Sequence, residues 1–162
     1  MTGQLLFAGR ALLEPDAALL REMAGEVPGG EPYRRLIPDE PEELAREHTR
    51  LFLSPEGAPC PPWQSVQGEE GTLLGEAHHS ALRWYREAGL EPVAESEPAD
   101  HAGLLLSFYA KMVEEEAESE VLARYREEHL AWIPEFCERL EAAARLPFYR
   151  EVARQTRLAL RS

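Results

Sequence analysis

Apolar residues recur every three to four positions along most of the chain, and strand-like alternation is almost absent. Positions three and four apart share one face of an α-helix, so this spacing indicates helices. The pattern predicts an all-α protein of about seven or eight helices. The predicted helices cover residues 4–13, 16–23, 40–53, 72–88, 98–117, 118–132, 133–145 and 147–160.

Segments rich in proline and glycine interrupt this pattern near residues 24–38, 54–71 and 90–98. We interpret them as irregular links within one helical bundle that covers residues 1–162, since a chain of this length fits one domain. The first link has room for one helical turn. The second is long for a compact domain, and such loops usually have a function or are disordered.

Three residues mark predicted helix boundaries. Asp39 and Thr72 have side chains that can cap the helices that follow them. Gly89 is suited to the left-handed conformation that commonly follows the end of a helix. These boundaries can be compared directly with the structure.

Acidic residues outnumber basic ones, 30 against 17, which gives a formal net charge of −13. A general nucleic-acid binder is disfavoured, because phosphate recognition needs a basic surface, and an anionic membrane would repel the chain. No apolar stretch approaches the ~18 residues of a membrane span, and the first residues lack the basic segment of a secretory leader. We therefore expect a cytoplasmic protein with no stable membrane insertion.

Most of the histidines lie on apolar faces of predicted helices, namely His48, His78, His101 and His129. Such a histidine is typically an imidazole at the core edge, hydrogen-bonded to a carbonyl or carboxylate. A metal site would need three or four converging ligands, and the chain has neither an HExxH motif nor a zinc-type cysteine spacing. We expect no structural metal and no required disulfide between Cys60 and Cys137.

No catalytic or cofactor-binding motif is present. The serines lie in no nucleophile elbow, and there is no glycine-rich phosphate loop. Asp100 and His101 are neighbours on a predicted helix with Pro98 in its first position, so their side chains point ~100° apart. His101 should be at least half buried beside Leu105 and Phe108, and Asp100 more exposed, near the helix dipole. These patterns favour neither catalysis nor a cofactor of the protein's own, and a small hydrolase that uses His101 is the alternative that they support least.

Two segments allow both a structural and a functional interpretation. Trp63 follows a run of prolines, so its indole either plugs the core or forms a rigid wall of a peptide groove. The acidic stretch 114–120 is either a solvated face or the rim of a site for a cationic ligand. The net negative charge favours basic partners in general.

Three blocks of sequence, taken in order, resemble a known family. Residues 48–52 and 61–66 have the sequences HTRLF and PPWQSV, residues 97–101 have EPADH at the start of an apolar helix, and residues 129–136 have HLAWIPEF. Together they resemble the TorD/DmsD/NarJ family of cytoplasmic chaperones for molybdenum redox enzymes. The blocks span roughly residues 40–150.

This resemblance implies a TorD-like, all-helical fold and a function without catalysis. Members bind the twin-arginine signal peptide of a molybdopterin-dependent oxidoreductase, and they hold its apo catalytic subunit for cofactor insertion and assembly before export. Carried over to this chain, the peptide-binding residues are Trp63, Asp100 and His101. The positions that support the motif are Glu97, Pro98, Pro62 and Ser65.

An alternative function is that of a helical assembly subunit that stays bound to a redox complex and recognises no signal peptide. Stoichiometric co-purification with a mature complex would favour it. Residues 90–98 could serve as a hinge for domain swapping, so the sequence is compatible with a monomer or a domain-swapped dimer.

Overall fold

The computed structural model of the chain describes residues 1–68, 71–91 and 97–162. Ten α-helices lie in these ranges. They are α1 (Thr2–Leu13), α2 (Ala17–Glu26), α3 (Glu31–Leu36), α4 (Pro41–His48), α5 (Gln64–Gln67), α6 (Glu76–Glu87), α7 (Ala102–Glu114), α8 (Ser119–Tyr125), α9 (Ile133–Ala143) and α10 (Pro147–Arg161). Two π-helical turns, Thr49–Leu53 and Arg126–Leu130, extend α4 and α8.

The bundle is organised around α1 and α7, which pack along each other, while α10 packs on α9, α1 and α3. Helix α7 is apolar on most of its surface, and most of its residues are buried. Aromatic side chains fill the space between α1, α3 and α10. Phe7 stacks on Tyr33 at a ring distance of 4.3 Å and meets the edge of Phe148 at 6.1 Å.

The all-α prediction is confirmed, because the described ranges contain helices and only one isolated β-bridge, between Trp63 and His101. The number of helices is larger than predicted. The two additional helices, α3 and α5, lie inside segments that the sequence predicts as links. Helix α3 fits the single turn expected in the first link, with proline in its first turn.

Of the three predicted helix boundaries, one is confirmed and two are wrong. Gly89 follows the end of α6 with a φ of 78°, as predicted. The predicted caps at Asp39 and Thr72 are wrong, because Glu40 and Gly75 precede α4 and α6. Leu74 has a φ of 62°, and a left-handed residue at that position prevents a helix from running through from Thr72.

None of the described helices combines the length and the apolar character that crossing a membrane requires.

Candidate functional site

Residues 97–101 form a turn that ends at the start of α7. The His101 N–H donates to the Pro98 carbonyl at 3.2 Å, and the His101 imidazole Nδ1 accepts the Gly103 N–H at 2.9 Å. His101 is therefore the N-cap of α7, and the predicted helix start at Pro98 is wrong. The imidazole satisfies an amide at the beginning of the helix that would otherwise lack an acceptor.

This turn pairs with the loop that contains Trp63. The Ala102 N–H donates to the Pro62 carbonyl at 2.7 Å, and the Gln64 N–H donates to the Asp100 carbonyl at 3.1 Å. These bonds form the short antiparallel bridge between Trp63 and His101. Two segments that are distant in sequence thus make one structural unit, which we call the Trp63–His101 clamp (residues 61–67 and 97–102).

Asp100 is completely buried in this clamp. One carboxylate oxygen, Oδ2, accepts the Ser65 N–H at 2.6 Å, at the start of the short helix α5. The prediction that Asp100 is more exposed than His101 is wrong, because their exposed fractions are 0% and 3%. The other carboxylate oxygen and the Ser65 hydroxyl are buried without a hydrogen-bond partner in the described residues. Asp100 therefore stabilises the Trp63 loop through a buried hydrogen bond, and its side chain is not accessible to a ligand.

His101 is buried beside the indole of Trp63. The two rings meet edge to face, with 5.8 Å between their centres. Burial lowers the pKa of His101 to about 3, and the nearby His48 acts in the same direction. The imidazole is neutral at pH 7, and the prediction that it is at least half buried is confirmed.

Trp63 and Glu97 are both partly exposed in the clamp. The indole Nε1 donates to Glu97 Oε1 at 2.8 Å, which fixes both side chains relative to each other. Burial raises the pKa of the Glu97 carboxyl, the indole hydrogen bond opposes this rise, and the charge of Asp100 adds to it. The surface of the clamp therefore includes an aromatic ring next to an oriented carboxylate.

Neighbouring helices hold the clamp through residues that the sequence did not single out for this role. The Tyr85 hydroxyl donates to the Ala99 carbonyl at 2.6 Å, and the Ala99 N–H donates to His78 Nδ1 at 2.9 Å. The His129 ring bonds with Gln64 Oε1 at 2.8 Å. Helical periodicity places these side chains on apolar faces, but it gives no sign of which backbone groups they meet.

The comparisons with known proteins support the family resemblance that the sequence blocks in this clamp indicated. A family model described as "Nitrate reductase delta subunit" matches residues 11–138. The chain belongs to the nitrate reductase delta subunit family. The matched segment contains both halves of the Trp63–His101 clamp.

Similar proteins of this family are named as chaperones. The chain is 32% identical to the Tat proofreading chaperone DmsD of Salmonella typhi over 74% of its own length and 59% of that protein. It is 26% identical to the chaperone protein TorD of Shewanella pealeana over 70% of its length and 56% of that protein. The chain thus spans less than three fifths of these curated relatives, whose names denote chaperones and not catalysts.

A solved structure of this kind shares the fold along the whole chain. The crystal structure of a redox enzyme maturation protein from Archaeoglobus fulgidus superposes with a TM-score of 0.81 at 29% identity, covering 100% of this chain and 94% of that one. The TorD-like, all-helical fold inferred from the sequence blocks is confirmed.

The structure also places the other groups that the sequence analysis considered. The buried His48 ring bonds with the Leu12 carbonyl at 2.9 Å. Cys60 and Cys137 are free, buried thiols whose pKa values are raised by burial. Among the described residues, no group of three or more histidine, cysteine or carboxylate side chains could hold a metal ion. The glutamates of the acidic stretch 114–120 are exposed to solvent.

We predict that His101→Asn reduces the pH dependence of stability. Asparagine retains the N-cap acceptor but does not titrate. With a folded pKa of about 3 and an ordinary value of 6.5, His101 binds a proton only on unfolding between these pH values. Its contribution to the free energy of unfolding therefore falls by about 1 kcal/mol per pH unit below pH 6.5.

Urea unfolding of the wild type and of His101→Asn at pH 7, 6 and 5 measures this effect. The stability difference between the two proteins should shift in favour of the variant as the pH falls. The other histidines are present in both proteins, so they cancel from the difference. A difference that is the same at all three pH values would contradict the assignment of a buried, neutral His101.

Proposed function

We propose that the chain is a system-specific maturation chaperone. In this proposal it binds the twin-arginine signal peptide of a molybdopterin-dependent oxidoreductase, holds the apo catalytic subunit and assists cofactor insertion and assembly before export. The observation that carries the proposal is the aromatic and carboxylate surface of the Trp63–His101 clamp, in a chain related to proteins named Tat proofreading chaperones. The chain would act in the cytoplasm, without nucleic acid or membrane insertion.

Trp63 and Glu97 would contact the peptide directly. A twin-arginine peptide carries guanidinium groups followed by an apolar stretch, and a guanidinium can both stack on an indole and pair with a carboxylate. Glu97 has one oxygen engaged by the indole and is partly exposed, so the carboxylate has room for a cationic partner. The net charge of −13 would steer such a peptide toward the chain.

Asp100 and His101 would act as positioning residues in this proposal. Both are buried, and their hydrogen bonds hold Ser65 and the start of α7. They would keep the Trp63 loop against the turn at Glu97, which sets the distance between indole and carboxylate. Their replacement would lower affinity through loss of this geometry, together with loss of stability.

We predict that Glu97→Gln weakens binding of the leader peptide about tenfold or more with little change in melting temperature, and that Trp63→Ala weakens binding as much but also lowers the melting temperature, because it removes the ring contact with His101. A hydrogen bond to a charged group contributes about 1.5–3 kcal/mol, which corresponds to this factor. Calorimetric titration of the purified chain with the leader, with thermal melts in parallel, measures both quantities. Asp100→Asn and His101→Gln should lose affinity and melting temperature together.

The matched control is Glu22→Gln, an exposed carboxylate on α2, which should bind like the wild type. Raising the salt concentration should weaken wild-type binding, because part of the attraction is long-range. If Glu97→Gln and Trp63→Ala both bind the leader as tightly as the wild type does, the clamp is not the peptide site. If the folded wild type binds no leader at all, the proposed function is wrong.

An assembly subunit that stays bound to a redox complex is the second candidate function. The description of the matching family, which names a subunit, favours it. Affinity purification of the mature oxidoreductase from cells decides between the two. A chaperone should be present with the apo enzyme and absent from the mature complex, whereas a subunit should be present in both at constant stoichiometry.

A further inference from the structure

A small cavity lies between the π-helical turn Arg126–Leu130, the start of α9 and the end of α10. Its volume is about 170 Å³, below the ~300–1,000 Å³ of pockets that bind drug-sized ligands, so it has room for about one side chain. Among the described residues that line it, three are arginines and one is a glutamate, namely Arg126, Arg157, Arg161 and Glu138. The cavity is therefore locally cationic, although the chain as a whole has a net charge of −13.

The guanidinium of Arg126 is held in place by neutral acceptors. Its Nη1 donates to the Tyr109 hydroxyl at 3.0 Å, and its Nη2 donates to the Leu160 carbonyl. The guanidinium also lies over the Tyr109 ring, 5.5 Å from its centre. None of the ion pairs within the described ranges includes Arg126. Its positive charge is therefore fixed in position at the cavity without a carboxylate to neutralise it.

The other two arginines also retain donors for a ligand. Arg157 pairs with Glu141 and, at 3.7 Å, with Glu138, but its Nε is buried without a hydrogen-bond partner among the described residues. A buried donor without an acceptor costs free energy, which an acceptor bound in the cavity would recover. Arg161 lies one helical turn after Arg157 on the same face of α10, and it is exposed. The three guanidinium groups together favour an anionic group.

The remaining wall of the cavity is apolar and decides which kind of anion fits best. It consists of Leu130, Ala131, Pro134 and Leu160. A guanidinium matches a carboxylate in bidentate geometry, and an aliphatic stem packs well on apolar surface while its charged end meets polar groups. A bare inorganic anion would leave this wall uncovered. An acidic amino-acid side chain satisfies both parts of the cavity.

We propose that this cavity binds the side chain of a glutamate on the surface of a partner protein. The site is additional to the proposed function, because none of the residues that line it belongs to the Trp63–His101 clamp. The net charge of −13 repels acidic surfaces at long range. The partner's glutamate should therefore stand among neutral or basic residues and not within an acidic run.

The π-helical turn connects this site with the clamp. Arg126 and Leu130 of the turn line the cavity, and His129 bonds with Gln64 of the clamp at 2.8 Å. A protein whose glutamate occupies the cavity is thus placed next to an element that supports the Trp63 loop.

A titration with small probes tests the site directly. The probe is N-acetylglutamate α-amide, and N-acetylglutamine α-amide is its neutral counterpart of the same shape. Both are added at constant ionic strength to the ¹⁵N-labelled chain while the arginine Nε–H signals are recorded by NMR. The signals are assigned from their loss in Arg126→Lys and Arg157→Lys. The glutamate probe should shift both signals saturably, the glutamine probe should not, and inorganic phosphate should bind more weakly than the glutamate probe.

Variants connect this binding with the cavity. Arg161→Gln removes an exposed guanidinium and should weaken binding of the glutamate probe severalfold without a change in melting temperature. Arg34→Gln is the matched control, since Arg34 is an exposed arginine on α3 and does not line the cavity. It should bind the probe like the wild type.

Saturable shifts with the glutamate probe and weaker binding by Arg161→Gln support the proposal. Equal shifts with the two probes, tighter binding of phosphate, or unchanged binding by Arg161→Gln would overturn it. The result is independent of leader binding, which Arg161→Gln should retain. A wild type that binds the glutamate probe but no leader would leave this site in place and overturn the proposed function.

Discussion

Replacement of Glu47 by alanine is expected to lower the free energy of unfolding by about 3–5 kcal/mol. Glu47 is buried, and its carboxylate accepts the Arg50 Nε–H at 2.7 Å and the amides of Arg145 and Leu146 at 2.6 and 2.8 Å. These amides precede α10, so the carboxylate ties the end of α4 to the α9–α10 connection. Alanine would leave two amides and the Nε–H of Arg50 without their acceptor.

Urea unfolding at pH 7 measures this loss, and Glu43→Ala is the matched control on the same helix. Glu43 is exposed and forms no ion pair within the described residues, so its replacement should change stability by less than about 0.5 kcal/mol. An equal effect of the two substitutions would contradict the role assigned to Glu47.

Acid should reduce the effect of the Glu47 substitution. Burial alone would raise the pKa of Glu47, but the hydrogen bonds from Arg50, Leu146 and Arg145 outweigh it and lower the pKa below 4.5. The carboxylate therefore stabilises the fold fully above pH 4.5, and this contribution disappears as the pH falls through the folded-state pKa. The difference between wild type and Glu47→Ala should shrink over that range.

The second large effect is expected for Gly103→Ala, which should destabilise the fold by about 1–3 kcal/mol. A methyl group on Gly103 would lie 2.6 Å from Leu13 Cγ and would overlap the Gly9 carbonyl oxygen. Gly9 faces the same contact, where a methyl group would lie 2.7 Å from the Gly103 carbonyl oxygen. Alanine has a helix propensity about 1 kcal/mol better than glycine, which offsets only part of the cost.

Gly25→Ala is the matched control for this contact, because Gly25 lies in α2 with no atom within 4 Å of an added methyl group. It should leave stability unchanged or raise it slightly. Thermal and urea unfolding of both variants measure the contrast. If Gly103→Ala is as stable as Gly25→Ala, α1 and α7 do not need their close approach.

Of these two effects, only that of Gly103→Ala concerns the support of the candidate site. Gly103 donates its N–H to the His101 ring, so a shift of α7 against α1 would also move the N-cap and the clamp. We therefore expect Gly103→Ala to weaken leader binding beyond its effect on the folded fraction. Glu47 lies outside the clamp, so in its variant the folded fraction should bind normally.

The sequence by itself determined the fold class and indicated Trp63, Asp100 and His101 as candidate site residues. Helical spacing of apolar residues requires one face of each segment to be buried, and no segment favours a sheet. The same spacing placed His101 in the core correctly. The order of the blocks around Trp63 and His101 indicated the family before any contact was known.

Only the tertiary structure decided how those residues are used. Pro98 and Asp100 are both suited to the first turn of a helix, so local rules predict a helix start at Pro98 and an exposed Asp100. Instead, the Asp100 carboxylate accepts a hydrogen bond from the amide of Ser65, 35 residues away. The turn before His101 pairs with the Trp63 loop. Periodicity describes neighbours along the chain and contains no information on hydrogen bonds between distant segments. Such bonds can outweigh local helix preference, because a buried amide or carboxylate without a partner costs more free energy than one turn of helix gains.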